Sequence, residues 1–517
     1  MTVTIDEVFK KIGEFRRYQW YIITLIGYCT FAATAINGSI VAFIAAEPDW
    51  KCVEGYMNNT VCRFNTSITL TSKDYKARCK MPREAWTFVD DFTSIVTEYD
   101  LVCDDSILLS FAQSASWVGM LIGLPIGGLL SDKFGRRKLV FAGFLANVVA
   151  AIVVVYPKHF LVFIFCRLLF GFGYGFQNCS SYPLMMEYTT AKYRSWLSFV
   201  LFTFFTLGVA TLPLIAFFAR EWRTFALITA ACAAPVLVII WFIPESPRWL
   251  LLSDSEDKAR KQLLKVANMN KRTLPDDALE KPINLQRASF RQLFSSWKVA
   301  KITLICWNLW FTVAHVYYGV SWGSVDLGGN RYLNFFLLMA VGLPANFLVI
   351  WTVDRFGRKL CTISSLVTTM VASAISASIP ADPTPANVGI RVTAAIIAKF
   401  SIGFCFVICY LWTSELYPTV IRSTGMSTSS AVARIGSFAS SYVIWLIRVH
   451  SALPYSIFAV ICLQAAVFAL FLPESKGKAT METMRDLKAT GKEKEIDLLV
   501  PTGNEKSNCV EKEVTRN

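Results

Sequence analysis

The chain has 517 residues, of which 54% are hydrophobic and only 17% are charged, and its mean hydropathy is +0.45. So little charge cannot cover a soluble protein of this size, and many apolar stretches are long enough to cross a hydrocarbon core of about 30 Å. The net charge of +14 is concentrated in short loops and at the ends of apolar stretches, as in membrane proteins that follow the positive-inside rule. The composition therefore predicts a multi-pass protein of the lipid bilayer and argues against a nucleic-acid partner.

The first predicted span is 18–44, and a polar stretch, 1–17, precedes it. Two lysines and two arginines stand directly before the span. Because positive residues are retained on the cytoplasmic side, we expect a cytoplasmic N-terminus. The polar stretch does not resemble a cleavable signal, so we expect the first span to be retained.

A long polar stretch, 45–105, follows and is predicted to be an extracellular, glycosylated loop. It contains two glycosylation sequons and four cysteines, which allow two disulfides in three possible pairings. The sequons begin at Asn58 and Asn65, and the disulfide candidates are Cys52, Cys62, Cys79 and Cys103.

The remaining apolar stretches predict an all-α membrane protein of about twelve helices. We expect an N-terminal six-helix bundle at 18–243, a cytoplasmic loop at 244–299, a C-terminal six-helix bundle at 300–472 and a cytoplasmic tail at 473–517. An even count places every basic turn in the cytoplasm, as the positive-inside rule requires. After the first, the predicted spans are 106–131, 139–156, 160–182, 197–219, 224–243, 300–321, 332–352, 360–379, 390–413, 425–447 and 454–472.

Three short motifs occur twice, about 220 to 230 residues apart. The basic loop at 132–138 recurs at 354–359, a Glu seven residues before an Arg occurs in both halves, and Pro-Glu-Ser at 244–246 recurs at 473–475. Three echoes at one offset indicate an internal duplication of a six-helix unit.

The duplicated charges stand at the predicted cytoplasmic ends of the helices. We interpret them as a cytoplasmic gate, a charge network that holds the inner side shut in one state; the alternative is a solvated loop that only sets topology. The predicted gate residues are Asp132, Arg136, Arg137, Glu187, Arg194, Asp354, Arg355, Arg358, Glu415 and Arg422.

Arg434 is predicted to lie near the middle of a span that has no acidic residue to pair with it. A guanidinium facing lipid is costly, so Arg434 should face a partner or a wet cavity. Bidentate geometry suits the carboxylate of a substrate, while a structural role on helix carbonyls is the alternative. Arg167 and Lys399 lie nearer the outer halves of their spans, from which such side chains can snorkel, and both are expected to be mostly structural. His315 is expected to be a core residue.

Aromatic residues are the second candidate feature of a binding site. Trp310, Tyr317 and Tyr318 share one span, and Tyr410 and Trp412 share another. Aromatic rings attract a substituted ammonium group, although rings in spans also serve as packing. Together with Arg434, Trp310, Tyr317, Tyr318 and Trp412 are the predicted substrate-binding residues.

No metal-ligand cluster, nucleotide-binding loop or nucleophile–base set with convincing spacing is found in the sequence. We therefore expect no cofactor and no metal, and transport driven by a gradient or by exchange rather than an enzymatic activity.

Several longer motifs resemble one known family. The stretches 94–103, 244–250 and 412–422, with the duplicated loops 132–138 and 354–359, are similar to those of the organic cation, anion and zwitterion (carnitine) transporters, a branch of the major facilitator superfamily. The resemblance covers nearly the whole chain. It implies a plasma-membrane carrier of small organic ions that works by alternating access of two six-helix halves.

The motifs that distinguish branches of this family are mixed. The position of Arg434 tends to be acidic in cation carriers and Arg in anion and carnitine carriers. Gly342 stands where relatives usually have an acidic residue, shortly before Pro344-Ala345. We therefore favour a carboxylate-bearing anion or zwitterion as substrate; the alternatives are an organic cation transporter, or a receptor with this fold that binds a ligand without transporting it. The oligomeric state is left open.

Overall fold

The structure, a computed structural model, describes residues 2–56, 62, 64, 66–70, 72, 74–253, 255–275, 278–279, 290–380 and 384–477. Ten of its helices are long and apolar enough to cross a membrane. Two further helices, Arg136–Val153 and Leu453–Ala469, complete the twelve predicted positions. Numbered in chain order, the spans are Arg17–Ile44, Cys103–Phe134, Arg136–Val153, Phe160–Met186, Arg194–Phe218, Trp222–Phe242, Trp297–Gly323, Arg331–Ala340 with Gly342–Phe356, Arg358–Ser378, Pro385–Leu416, Thr419–Trp445 and Leu453–Ala469.

Most of the helices extend beyond the apolar stretches that predict them. The second span was expected at 106–131 and begins at Cys103, while the eleventh was expected from 425 and begins at Thr419. Hydropathy detects only the lipid-facing part of a helix, whereas capping and packing carry the helix into the polar interface. Arg434 therefore lies fifteen residues into its helix, about 22 Å from its start.

The outer loop folds into a small disulfide-linked unit. Strand Trp50–Cys52 pairs antiparallel with Trp86–Phe88. Of the three possible pairings, the structure has Cys52–Cys62 and Cys79–Cys103. Asn58 and Asn65, the predicted glycosylation sites, lie outside the described residues.

The outer unit is attached to the first six-helix half. The indole of Trp222 donates to Glu98 at 2.7 Å, and Arg223 forms an ion pair with the same carboxylate. Cys103, which is bonded to Cys79, begins the second span. The outer unit is therefore expected to move with the first half.

The N-terminal stretch, which is predicted to be cytoplasmic, forms a helix, Ile5–Ile12. Its apolar face packs against helix Glu256–Met269 in one buried cluster with the base of the first half. Asn270 links the two, because its amide donates to the carbonyl of Ile12 at 3.1 Å and accepts from the backbone of Tyr18 at 3.0 Å. Two-residue parallel strands, Thr2–Val3 and Ala278–Leu279, add to this contact.

Candidate substrate-binding site

Arg434 lies between the two halves, in the middle of the eleventh span, and is 6% exposed. Its guanidinium interacts electrostatically with the phenol groups of Tyr174, Tyr318 and Tyr410. Tyr174 belongs to the fourth span, Tyr318 to the seventh and Tyr410 to the tenth. The arginine is therefore ringed by helices from both halves of the molecule.

The positive charge of Arg434 has no carboxylate counterpart in the part of the chain that the structure describes. Its Nε atom is buried and has no hydrogen-bond partner. Phenol hydroxyls stabilise a cation weakly in comparison with a carboxylate, because they carry no formal charge. The site can therefore accept an anionic group.

Two of the predicted aromatic residues line or support this site. Tyr318 meets Trp117 of the second span edge to face, with ring centroids 4.6 Å apart. Trp310 is fully buried behind Tyr410, at 4.4 Å between centroids, and its indole donates to Thr413 at 2.9 Å. Tyr318 is thus near the guanidinium of Arg434. Trp310 is not, but it packs against Tyr410, which is.

Trp412 lies apart from the other predicted aromatic residues. Its indole donates to the carbonyl of Pro473 at 3.3 Å, at the cytoplasmic end of the twelfth span, and the ring is buried. Two residues along a helix correspond to a turn of about 200°, so Trp412 and Tyr410 point in nearly opposite directions. The structure therefore does not bring Trp412 to Arg434.

Lys399 has structural partners inside the bundle and does not snorkel. It is 2% exposed, and its ammonium lies 3.0 Å from the centroid of the Tyr317 ring. The ammonium also donates to the carbonyl of Tyr317 at 3.3 Å and to the hydroxyl of Ser321. Because the ring and two oxygens face it inside the bundle, the lysine does not need to reach the membrane surface. Tyr317 is thereby held next to Tyr318, at 5.2 Å between centroids.

Arg167 and His315 have structural partners. Arg167 donates to the carbonyls of Asn37 and Gly38 at 2.9 and 3.1 Å, which ties the fourth span to the first. His315 contacts the carbonyl of Gly436 through Nδ1 at 3.0 Å and lies in the core between helices.

Six of the ten predicted gate residues form one cluster in each half, at its predicted cytoplasmic end. Arg136 contacts Asp132 at 2.8 Å and Glu187 at 3.4 Å. In the second half, Arg358 is bidentate to Glu415 at 2.9 Å for both bonds, and it lies 3.5 Å from Asp354. In this structure each cluster stays within its own half.

The Pro-Glu-Ser echoes complete these clusters, a role that the sequence did not indicate. Glu245 accepts the backbone N–H of Arg136 at 2.9 Å, and Glu474 accepts that of Arg358 at 3.0 Å. Each glutamate therefore caps the N-terminus of the helix that follows the basic loop, where a carboxylate is favoured.

The other four predicted gate residues are peripheral to the clusters. Arg194 is exposed, and neither it nor Arg422 forms an ion pair among the described residues. Arg422 donates instead to the carbonyl of Tyr417 at 3.3 Å, and Arg137 to that of Trp241 at 2.9 Å. The guanidinium of Arg355 lies over the ring of Trp351 at 5.3 Å.

The two halves meet on the outer side. Ser110 donates to the carbonyl of Ser441 at 3.1 Å, and the indole of Trp445 donates to Ser106 at 3.1 Å. Further along, the ring of Phe43 packs on Phe335 at 5.0 Å. These contacts join the two halves at the end of the molecule that carries the disulfide-linked loop.

Two six-helix halves around a central polar site, with matching charge clusters at one end of each half, define a secondary transporter of the major facilitator fold. The family described as "Sugar (and other) transporter" matches residues 54–487. The chain belongs to this family, within the branch of organic cation, anion and zwitterion transporters. It is a membrane transporter and not an enzyme.

Relatives of similar length support this assignment. Solute carrier family 22 member 16 of Xenopus laevis is 27% identical and covers 94% of both chains; that of Bos taurus is 31% identical over 82% of this chain and 74% of the relative. An organic cation transporter-like protein of Drosophila melanogaster is 27% identical over 97% of this chain and 95% of its own. A partially occluded, inward-open xylose transporter of E. coli shares the fold, with a TM-score of 0.63 and 16% identity. The match covers 90% of this chain and 100% of the xylose transporter.

Sequence reasoning missed Tyr174 and Trp117, which the first half contributes to the site. Both are isolated aromatic residues in apolar spans, and nothing local distinguishes them from packing rings. The available signal is the duplication, since a substrate between two repeats must be contacted by both.

Proposed function

We propose that this transporter carries organic anions or zwitterions that bear a carboxylate across the plasma membrane, with Arg434 as the carboxylate anchor. The supporting observation is the buried guanidinium at the junction of the halves, which pairs with no described carboxylate. A buried charge without a counter-charge is costly, and a bound carboxylate removes that cost.

The rings around Arg434 bind the remainder of the substrate. Tyr318 and Trp117 form a continuous aromatic wall that reaches Trp322, which lies 6.1 Å from Trp117 between centroids. Such a wall accepts an apolar or aromatic body, and a ring face also attracts a substituted ammonium. A zwitterion would place its carboxylate on Arg434 and its ammonium against these rings.

Transport follows alternating access, with both termini in the cytoplasm. The inner charge clusters serve as the cytoplasmic gate in this proposal. Each cluster is assembled within one half here, while contacts such as Ser110 with Ser441 join the two halves at the opposite end. Closure of the inner side then brings the two clusters together at the mouth of the cavity.

The second candidate is an organic cation carrier, which the names of several relatives favour. A cation carrier needs an acidic group near the substrate. The titratable groups that interact with Arg434 are instead three phenols, so an anionic group fits the site better.

An uptake panel distinguishes these candidates. Cells that express the chain are given labelled carnitine, a dicarboxylate, an aromatic monocarboxylate and a quaternary ammonium ion, each with and without sodium. Saturable uptake of a carboxylate is expected, and Arg434→Met should weaken its apparent affinity about 10- to 100-fold, the equivalent of a lost charged hydrogen-bond pair of about 1.5–3 kcal/mol. Arg434→Lys should retain part of the affinity for the carboxylate.

Surface amount, measured by biotinylation, is the control for folding. Uptake restricted to the quaternary ammonium ion and insensitive to Arg434→Met would establish the cation alternative. Saturable binding without accumulation would identify a receptor.

A further inference from the structure

The outer ends of the two halves are joined by a buried carboxylate, Glu47, at the outer end of the first span. Its side chain is 1% exposed. It forms an ion pair with Arg448 at 3.2 Å and another, shorter, with Arg78. Tyr75 also donates its hydroxyl to both carboxylate oxygens, at 2.9 and 2.8 Å.

The two arginines come from parts of the molecule that separate when the outer side opens. Arg448 follows the eleventh span in the second half. Arg78 lies in the outer unit, next to Cys79, which is bonded to Cys103 at the start of the second span. Opening therefore removes Arg448 from Glu47 and leaves Arg78 in place.

Arg78 is built into its position. It is 1% exposed, and its guanidinium lies over the rings of Tyr75 and Trp86 at 4.5 and 5.0 Å. Its only ion-pair partner among the described residues is Glu47. The surrounding rings fix the guanidinium in direction, so that it does not follow Arg448.

The outer pair and the substrate anchor lie on one helix face. Ser441 and Trp445 follow Arg434 by 7 and 11 residues, spacings that return to the same side of an α-helix. Arg448 ends the 3-10 turn Leu446–Arg448 that continues this helix, one turn after Trp445 and therefore on the same side. Arg448 is about 22 Å from Arg434 along this segment. The contact with Glu47 thus seals the outer end of the face that holds the substrate.

We propose that Arg78 is a positioning residue of an outer gate formed by Glu47 and Arg448: it keeps the carboxylate paired when Arg448 withdraws, so that the outward-open state is accessible. This gate rests on the alternating access of the proposed function, but it does not depend on which substrate is carried. Without Arg78, opening would leave a buried carboxylate without a counter-charge, which strongly disfavours that state.

The two arginines should therefore have opposite effects on opening. Loss of Arg448 removes a bond that exists only in the closed state, and Glu47 remains paired with Arg78 throughout. Loss of Arg78 penalises only the open state, because Arg448 still pairs with Glu47 when the gate is closed. A merely structural contact would give the same direction in both variants.

Accessibility of a cysteine behind the gate measures this directly. Ser110→Cys places a thiol opposite Ser441, where the side chain is now buried. Its rate of reaction with a membrane-impermeant maleimide is measured from outside, in the full-length chain, without substrate. Arg448→Gln should raise the rate about tenfold, and Arg78→Gln should lower it about tenfold, each equal to about 1.4 kcal/mol.

Three further variants keep the experiment decisive. Lys76→Gln is the matched control, because Lys76 lies in the same turn as Arg78, is exposed and forms no ion pair among the described residues; its rate should not change. Arg78→Lys should restore the parent rate. In Glu47→Gln, adding Arg78→Gln should have no further effect on the rate, since no carboxylate remains to be paired.

A raised or unchanged rate in Arg78→Gln overturns the proposal, as does an absence of labelling in every variant. Failure of the Arg434 anchor would appear only in uptake, because accessibility is measured without any substrate. The two proposals therefore fail separately.

Discussion

Replacement of Gly357 by alanine tests how the cytoplasmic cluster of the second half is built. Gly357 has φ +89° and ψ 163°, a conformation that is essentially restricted to glycine. A Cβ there would also lie 2.7 Å from Glu474 Oε2. The substitution therefore strains the backbone and displaces the carboxylate that caps Arg358 and Lys359.

The magnitude follows from these two effects. The strained backbone costs about 1–3 kcal/mol, and loss of a helix cap costs about 0.5–2 kcal/mol. The free energy of unfolding should fall by about 1.5–5 kcal/mol, which corresponds to a lower thermal midpoint by several degrees. Tryptophan fluorescence of the detergent-solubilised protein on heating provides the measurement.

Gly389→Ala is the matched control, because a Cβ at Gly389, in the tenth span, meets no atom within 4 Å. Its midpoint should stay or rise, since alanine favours a helix over glycine by up to about 1 kcal/mol. Equal midpoints for Gly357→Ala and Gly389→Ala would refute the capping argument. Gly135→Ala should behave like Gly357→Ala, since its Cβ would lie 2.3 Å from Glu245.

Three further predictions concern the gates and the outer unit. Asp132→Asn should leave surface expression intact and reduce turnover, because Asp132 contacts Arg136 in the inner cluster. Normal uptake at normal expression would show that this cluster is not part of the gate. Replacing Cys79 and Cys103 with serine should destabilise the protein by about 3 kcal/mol, as expected for a bridge spanning 24 residues. Arg78, which is next to Cys79, should then be held less firmly. An unchanged thermal midpoint would contradict this. Glu474→Gln should destabilise the protein more at pH 7 than Glu245→Gln does. This difference in the free energy of unfolding should vanish on acidification below the ordinary glutamate pKa of about 4.3. A difference that stays constant across pH would contradict the prediction.

The last of these predictions follows from opposite shifts of the two carboxyl groups. Burial raises the pKa of Glu245 by more than its backbone hydrogen bonds lower it. At Glu474 burial also raises the pKa, but four backbone N–H donors outweigh it and the pKa is lowered. A lowered pKa adds stability above the unfolded-state value and loses it as pH falls through the folded-state value. Ionisation of Glu474 therefore stabilises the fold at neutral pH, whereas ionisation of Glu245 costs stability.

The fold was predictable because its signals are local. Apolar length identified the spans, and the duplicated motifs indicated two halves. The contacts that build the clusters were not predictable, since Glu245 caps a helix that begins 109 residues before it. Likewise, four cysteines allow three pairings, and only the folded outer unit distinguishes Cys79–Cys103 from the others.

The candidate site was predictable in one half only. Arg434 is conspicuous because a charge within an apolar span is rare. Tyr318 and Trp310 share one span, and the sequence predicts both of them near Arg434. Tyr174 carries no such signal, since a tyrosine in an apolar stretch is common, and only the folded bundle brings it near the guanidinium.

The position of Arg434 and Arg448 on one helix face links substrate binding with opening of the outer side. A helix of this length moves nearly as a rigid body, so a displacement that withdraws Arg448 from Glu47 also shifts Arg434 relative to Tyr174, which stays with the first half. A carboxylate that contacts Arg434 in the second half and Tyr174 in the first opposes that displacement, because it would lose one of the two contacts. An anionic substrate is therefore expected to favour the closed outer gate, whereas a ligand that contacts only the second half would leave the gate equilibrium unchanged.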